Sequence, residues 1–133
     1  WGETIHELCR NYPNVYVEFG AIDAMVSDDH ACSTVDLAPL TNVRRCVDFD
    51  TTAVFVHRMS SLIAADAADP DAEFKLADKV MYGSDWFMPS ASRCPQGFLY
   101  SYRVAFLHPR LRDYYPHFFR DNALSYLDAE RRI

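Results

Sequence analysis

An aspartate directly behind a glycine-stopped apolar run is the residue of this sequence best placed to do chemistry. The run is Lys79-Val80-Met81-Tyr82-Gly83-Ser84-Asp85-Trp86. In a parallel α/β architecture the carboxyl end of a strand is where chemistry sits, so Asp85 there faces a mouth that can hold a metal or a substrate. The competing reading is a helix cap, because Ser84 and Asp85 are both residue types that favour helix ends. Trp86 either walls the substrate pocket or packs in the core. Glu18 is a second candidate. It alternates with Val17 and Phe19 along a strand and therefore faces the side opposite those two. From there it either binds substrate at the mouth or pairs with a neighbouring basic residue.

Other reactive types carry less. Asp28-Asp29-His30 brings oxygen and imidazole groups close enough to hold a metal, but a solvated acidic loop has the same composition. Arg93 and Arg103 can each fork onto a substrate carboxylate, and otherwise form surface ion pairs. Cys94 has no identifiable histidine partner and so is a poor nucleophile. His57 falls on a helix face away from the apolar stripe, His108 precedes a proline at a turn, and His6 and His117 sit near helix beginnings. The four cysteines, Cys9, Cys32, Cys46 and Cys94, form no CxxC pair. In an acidic, enzyme-like chain their expected state is reduced. A zinc knuckle from His30, Cys32 and Cys46 lacks the tight paired spacing that structural zinc sites use.

Residue pattern predicts the helices and strands that carry these groups. Thr4-Ile5-His6-Glu7 has the form of a capping box, with Ile5, Leu8 and Cys9 at helical spacing. Asn11-Tyr12-Pro13-Asn14 is turn chemistry. Val15 to Phe19 is β-branched and aromatic and closed by Gly20, which predicts a strand. Residues 21 to 50 form a long mixed connection beyond that strand, with a helical turn at Ala21 to Val26. Thr51 to Ala68 predicts a helix with Phe55, Met59, Leu62 and Ile63 as its apolar stripe. A short helical turn is expected over Glu73 to Ala77 and a second strand over Lys79 to Tyr82. Phe87 to Pro95 reads as loop. Gly97 to Phe106 reads as a helix with Phe98, Tyr102 and Phe106 on one face. The final helix runs from Tyr115 to Glu130, with Phe119, Ala123, Tyr126 and Leu127 inward.

Strands alternating with helices indicate βαβ units and a parallel sheet. Two parallel strands alone leave both edges open, and parallel sheets are normally wider and covered. The chain is therefore expected to be part of a larger sheet or barrel whose remaining strands lie upstream, since it closes on a helix.

Three segments then resemble the amidohydrolase superfamily. Tyr12-Pro13-Asn14-Val15-Tyr16-Val17-Glu18 is similar to its late-barrel strand. Val80-Met81-Tyr82-Gly83-Ser84-Asp85-Trp86 resembles its final active-site strand, and Phe118-Phe119-Arg120-Asp121-Asn122-Ala123-Leu124 resembles its closing helix. The branch most resembled is the amidohydrolase-related group of metal-dependent hydrolases and decarboxylases, over roughly the last two βα units. The resemblance implies an α/β fold in which residues 1–133 are one partial domain, the C-terminal part of a (β/α)8 TIM barrel with parallel strands and flanking helices. It implies a divalent metal, usually zinc, at the carboxyl-end face. The family's His-x-His pair is absent from this sequence, so only the last-strand aspartate carries over, onto Asp85, as metal ligand and general acid/base. Glu18 and Trp86 become substrate-binding candidates, and a homodimer is in keeping with the group. Asn122 is expected to fix the terminal helix through its amide.

Bulk properties exclude other classes. The chain has 133 residues, half of them hydrophobic and 14% aromatic, so it is not a disordered polymer. A formal charge of −6 disfavours nucleic acid and anionic membranes, which need a basic footprint. No apolar run approaches the ~18 residues of a membrane span. The expected setting is cytoplasmic, and the expected partner is a small-molecule substrate. The alternative function is a stand-alone, non-catalytic α/β module that binds a partner through its sheet edge or aromatic surface.

Overall fold

The computed structural model describes residues 2–20, 25–26, 46–83 and 95–130. Asp85, Trp86, Asp28, Asp29, His30, Cys32, Arg93 and Cys94 lie outside the described residues, as does most of the 21-to-50 connection. The elements are α1 (Gly2–Asn11), β1 (Val17–Phe19), α2 (Phe49–Ala68), a 3-10 turn (Leu76–Asp78), β2 (Val80–Tyr82), α3 (Pro95–Leu107), a second 3-10 turn (Arg112–Tyr114), a π-helical turn (His117–Asp121) and α4 (Asn122–Glu130). The fold is mixed α/β and mostly helical, around a two-stranded parallel sheet.

Local chemistry explains where α2 begins and ends. Asp48 is its N-cap, and the Asp48 carboxylate accepts from the Thr51 N–H at 2.7 Å. Thr52 Oγ1 donates to the Asp48 carbonyl at 2.6 Å. At the other end Lys75 Nζ donates to the carbonyls of Asp66 and Asp69, at 3.2 and 2.8 Å. A cation there satisfies carbonyls that the helix cannot and suits the negative pole of the helix dipole. The buried stripe is Thr52, Val56, Met59, Ile63 and Asp66. The expected stripe was close to this, but Leu62 is 45% exposed.

α3 carries its expected face: Phe98, Tyr102 and Phe106 are all buried. Tyr102 and Phe106 meet Phe118 from the π-helical turn, Tyr102 at 5.7 Å between centroids and Phe106 stacked at 4.0 Å with 13° between planes. Tyr82 of β2 lies against Tyr102 at 5.6 Å and Phe118 at 6.2 Å. This aromatic cluster, with Val56, Met59, Ile63 and Val80, is the core.

Four expectations need correction. Thr4 is inside α1 rather than at its cap, since the helix starts at Gly2. The final helix is not continuous from Tyr115. A π-helical turn widens the backbone spiral and shifts the phase of the residues beyond it. Phe118 and Asn122 are therefore the buried residues, and Leu127, expected inward, is 52% exposed. Cys46 is disulfide-bonded, so the expectation of reduced thiols fails there. A sulfur held in a disulfide is not the thiolate a metal needs, which also removes the zinc-knuckle reading. Cys9 is a buried free thiol, and burial pushes its pKa up, keeping it protonated.

Candidate functional site at the carboxyl rim of the sheet

The two strands run the same way, with Val17 opposite Val80, Glu18 opposite Met81 and Phe19 opposite Tyr82. The Val17 N–H donates to the Lys79 carbonyl at 2.9 Å, and the Gly83 N–H donates to the Phe19 carbonyl at 3.2 Å. Both strands thus present their carboxyl ends at one rim. Val17, Phe19, Val80 and Tyr82 pack into the helix-covered core. By strand alternation Glu18 and Met81 take the opposite face. There Glu18 is exposed and Met81 half-buried.

Glu18 folds over the end of β2. A Cβ on Gly83 would occupy the space of the Glu18 carboxyl group. Glycine at 83 is therefore what lets the carboxylate lie against the backbone just before Ser84 and Asp85. Burial pushes the pKa of the Tyr82 hydroxyl up, and the charge on Glu18 adds to the rise. The rim of β1 is braced from below. Tyr102 Oη donates to the Gly20 carbonyl at 3.1 Å. Ser101 Oγ lies 2.7 Å from both the Met25 and Gly97 carbonyls.

Other candidates stand away from this rim. His57 is exposed on α2, with Nδ1 3.3 Å from Arg110 Nη1, and His108 Nδ1 accepts from the Arg110 N–H at 3.2 Å. Both agree with their surface and turn assignments. Arg103 lies over the Tyr100 ring at 5.7 Å, a cation–π contact rather than the expected ion pair. His117 is half-buried in the π-helical turn.

Two buried charged residues escaped the sequence reading. Asp66 is 2% exposed and accepts from the Leu76 N–H at 2.7 Å. His6 Nε2 lies 3.1 Å and Arg10 Nε 3.5 Å from the same carboxylate. Its signal was its place in the register of Thr52, Val56, Met59 and Ile63, one turn beyond the last of them. Lys79 is 4% exposed, with Nζ over the rings of Tyr16 and Phe74 at 4.4 and 4.7 Å and a hydrogen bond to the Pro13 carbonyl. Burial lowers its pKa, partly offset by Cys9 and Asp78. Both residues tie elements together beneath the sheet rather than at its rim. Asn122 does what was expected of it: Nδ2 donates to the carbonyls of Ala77 and Val80 at 2.8 and 2.7 Å.

Among the described residues no group of three or more His, Cys, Asp or Glu side chains can hold a metal ion. No helix among them is long and apolar enough to cross a membrane. Compared with protein families, curated proteins and solved structures, the chain has no significant match.

Proposed function

We propose that this chain is the C-terminal portion of a metal-dependent, amidohydrolase-type barrel enzyme that hydrolyses or decarboxylates a small organic substrate. The observation that supports it most is the one-sided clothing of the sheet. Helices cover one face, and on the other, among the described residues, Glu18 is exposed and Met81 half-buried. Doubly wound sheets are covered on both faces. A (β/α)8 barrel keeps its helices outside and turns the other strand face inward.

In this reading Asp85, two residues beyond Gly83, stands at the rim as general acid/base. It accepts a proton from the attacking water and returns one to the leaving group. Glu18, on the inward face, hydrogen-bonds the substrate, and Trp86 walls the pocket. The divalent metal, zinc by resemblance, belongs to the whole barrel, and the described residues alone do not make a site for it. A homodimer of the whole enzyme is part of the proposal. Cytoplasmic residence fits it least, because the disulfide at Cys46 suits an oxidising compartment better.

The test uses the polypeptide that carries this chain together with the preceding strands. Asp85→Asn should lower turnover by about 10² or more while the fold is retained by circular dichroism. Full turnover and full metal content in that variant would sink the reading. A second reading, the non-catalytic interaction module, is favoured by one observation. The backbone N–H and C=O of Glu18 point away from β2, because Val17 and Phe19 supply the groups that bond it.

A further inference from the structure

A Cβ on Gly83 would fall inside the Glu18 carboxyl group, so that carboxylate rests on the Gly83 backbone. Chain geometry then bounds its separation from Asp85. Consecutive Cα atoms are about 3.8 Å apart, so the Asp85 Cα lies within about 7.6 Å of the Gly83 Cα whatever path the chain takes. A carboxylate of β1 and one from beyond β2 therefore share one stretch of rim. Among the described residues no hydrogen bond or ion pair reaches Glu18. The Tyr82 hydroxyl feels its charge, but that ring packs on the core side and does not neutralise it. The cations that could come to it are engaged elsewhere. Arg10 is on Asp66 and Asp69, Lys75 is on the last carbonyls of α2, and Lys79 lies between Tyr16 and Phe74.

We propose that Glu18 sets the substrate class by receiving a cationic nitrogen, so that the substrate is a small organic cation whose reacting bond lies a few bonds from an ammonium, amidinium or guanidinium group. This rests on the enzymatic reading above, which turns the Glu18 face into the barrel, where a bound substrate displaces water. A carboxylate shut away from water needs an opposite charge beside it. A hydroxyl would donate one hydrogen bond and leave the charge uncompensated. An ammonium brings the charge and three donors, and a planar guanidinium can meet both carboxylate oxygens. Glu18 binds here and does not react, while the bond to be broken lies toward Asp85. Gly83 belongs to the same device, because any side chain there would push the carboxylate off the position it holds.

The experiment uses the polypeptide that carries this chain together with the preceding strands, and measures binding rather than turnover. Its probes are benzylamine, protonated at neutral pH, and benzyl alcohol, its neutral counterpart. Calorimetry should show the cation bound about tenfold or more tighter than the alcohol. The carboxyl carbon of Glu18, followed by 13C NMR in the unaltered protein, should shift with the amine and not with the alcohol. Glu18→Gln should abolish the preference at unchanged metal content. Gly83→Ala should reduce it several-fold while the affinity for benzyl alcohol stays the same. Three results would overturn the assignment. One is equal binding of the two probes by the unaltered protein. Another is a preference that survives Glu18→Gln. The third is metal lost with Glu18→Gln, which would make that carboxylate a metal ligand. Any of these can occur while Asp85→Asn still lowers turnover, and the enzyme would then stand with another class of substrate.

Discussion

The two sides of the small sheet are held by different physics. On the β2 side an aromatic stack and an amide make the connections. Phe118, stacked on Phe106, and Tyr102 lie against Tyr82, and Asn122 occupies the Val80 carbonyl on the outer edge of β2. On the β1 side ionic clips are added to the apolar contacts of Val17 and Phe19. α1 is clipped to the end of α2 by His6 and Arg10 onto Asp66, and by Arg10 onto Asp69. Among the described residues the outer edge of β1 has no backbone partner. Apolar packing is close, insensitive to pH and hard to peel. Charge pairs are directional, respond to pH, and when half-exposed contribute little each. Among the described residues the sheet is thus finished on one side and open on the other. That asymmetry underlies the barrel reading.

The largest effect that bears on this asymmetry is Phe118→Ala. Removing a buried ring from the stack should cost about 3–5 kcal/mol, read as a shift in the denaturation midpoint. Leu62→Gln on the β1 side should cost within about 0.5 kcal/mol. Equal losses at the two positions would dissolve the distinction. Asn122→Ala comes next. It leaves the buried Val80 carbonyl and the part-buried Ala77 carbonyl without their donor, at a cost of about 1–3 kcal/mol. Amide exchange should accelerate first in β2 and the π-helical turn. If it accelerates first in α1, the amide is not what closes the β2 edge.

The sequence carried the elements whose residues repeat at a fixed spacing. Phe98, Tyr102 and Phe106 announced α3 and its buried face together, because four-residue steps admit little else. The strand leading to Asp85 was legible from a glycine-stopped apolar run. The π-helical turn was not, since Pro116 suits a first helical turn and no residue from His117 to Asp121 forbids an ordinary α-helix. What selects the wider turn is tertiary: Phe118 must reach the stack while Asn122 reaches the strand carbonyls. The role of Asp66 was hidden for a similar reason. An acid on a buried stripe looks like a break in the pattern until its three donors, two from α1 and one from the Leu76 peptide, are brought to it. At the rim, Glu18 was placed on the correct face by alternation alone. That its carboxyl group lies over Gly83 needs the register of the two strands, which no local pattern encodes.

Acid should separate the two sides with the smallest effect of all. Asp48, held by the Thr51 N–H at the cap of α2, has its carboxyl pKa below the ordinary 3.8. Asp69 is likewise lowered, first by the Asp71 N–H and then by Arg10. A depressed carboxyl contributes stability that is fully present above its unfolded pKa and is lost as pH falls through its folded one. Both groups act on α2 and its junction with α1, the β1 side. Asp121 is also lowered, by Arg120, but that pair joins adjacent residues of one turn and holds no two elements together. Between about pH 5 and about pH 2, amides of α1 and the first turn of α2 should therefore lose protection before those of β2 and the π-helical turn. Asp48→Asn and Asp69→Asn together should flatten that early phase while leaving the later one in place. Simultaneous loss on both sides in the unaltered protein would mean that the ionic clips and the aromatic stack form one cooperative unit.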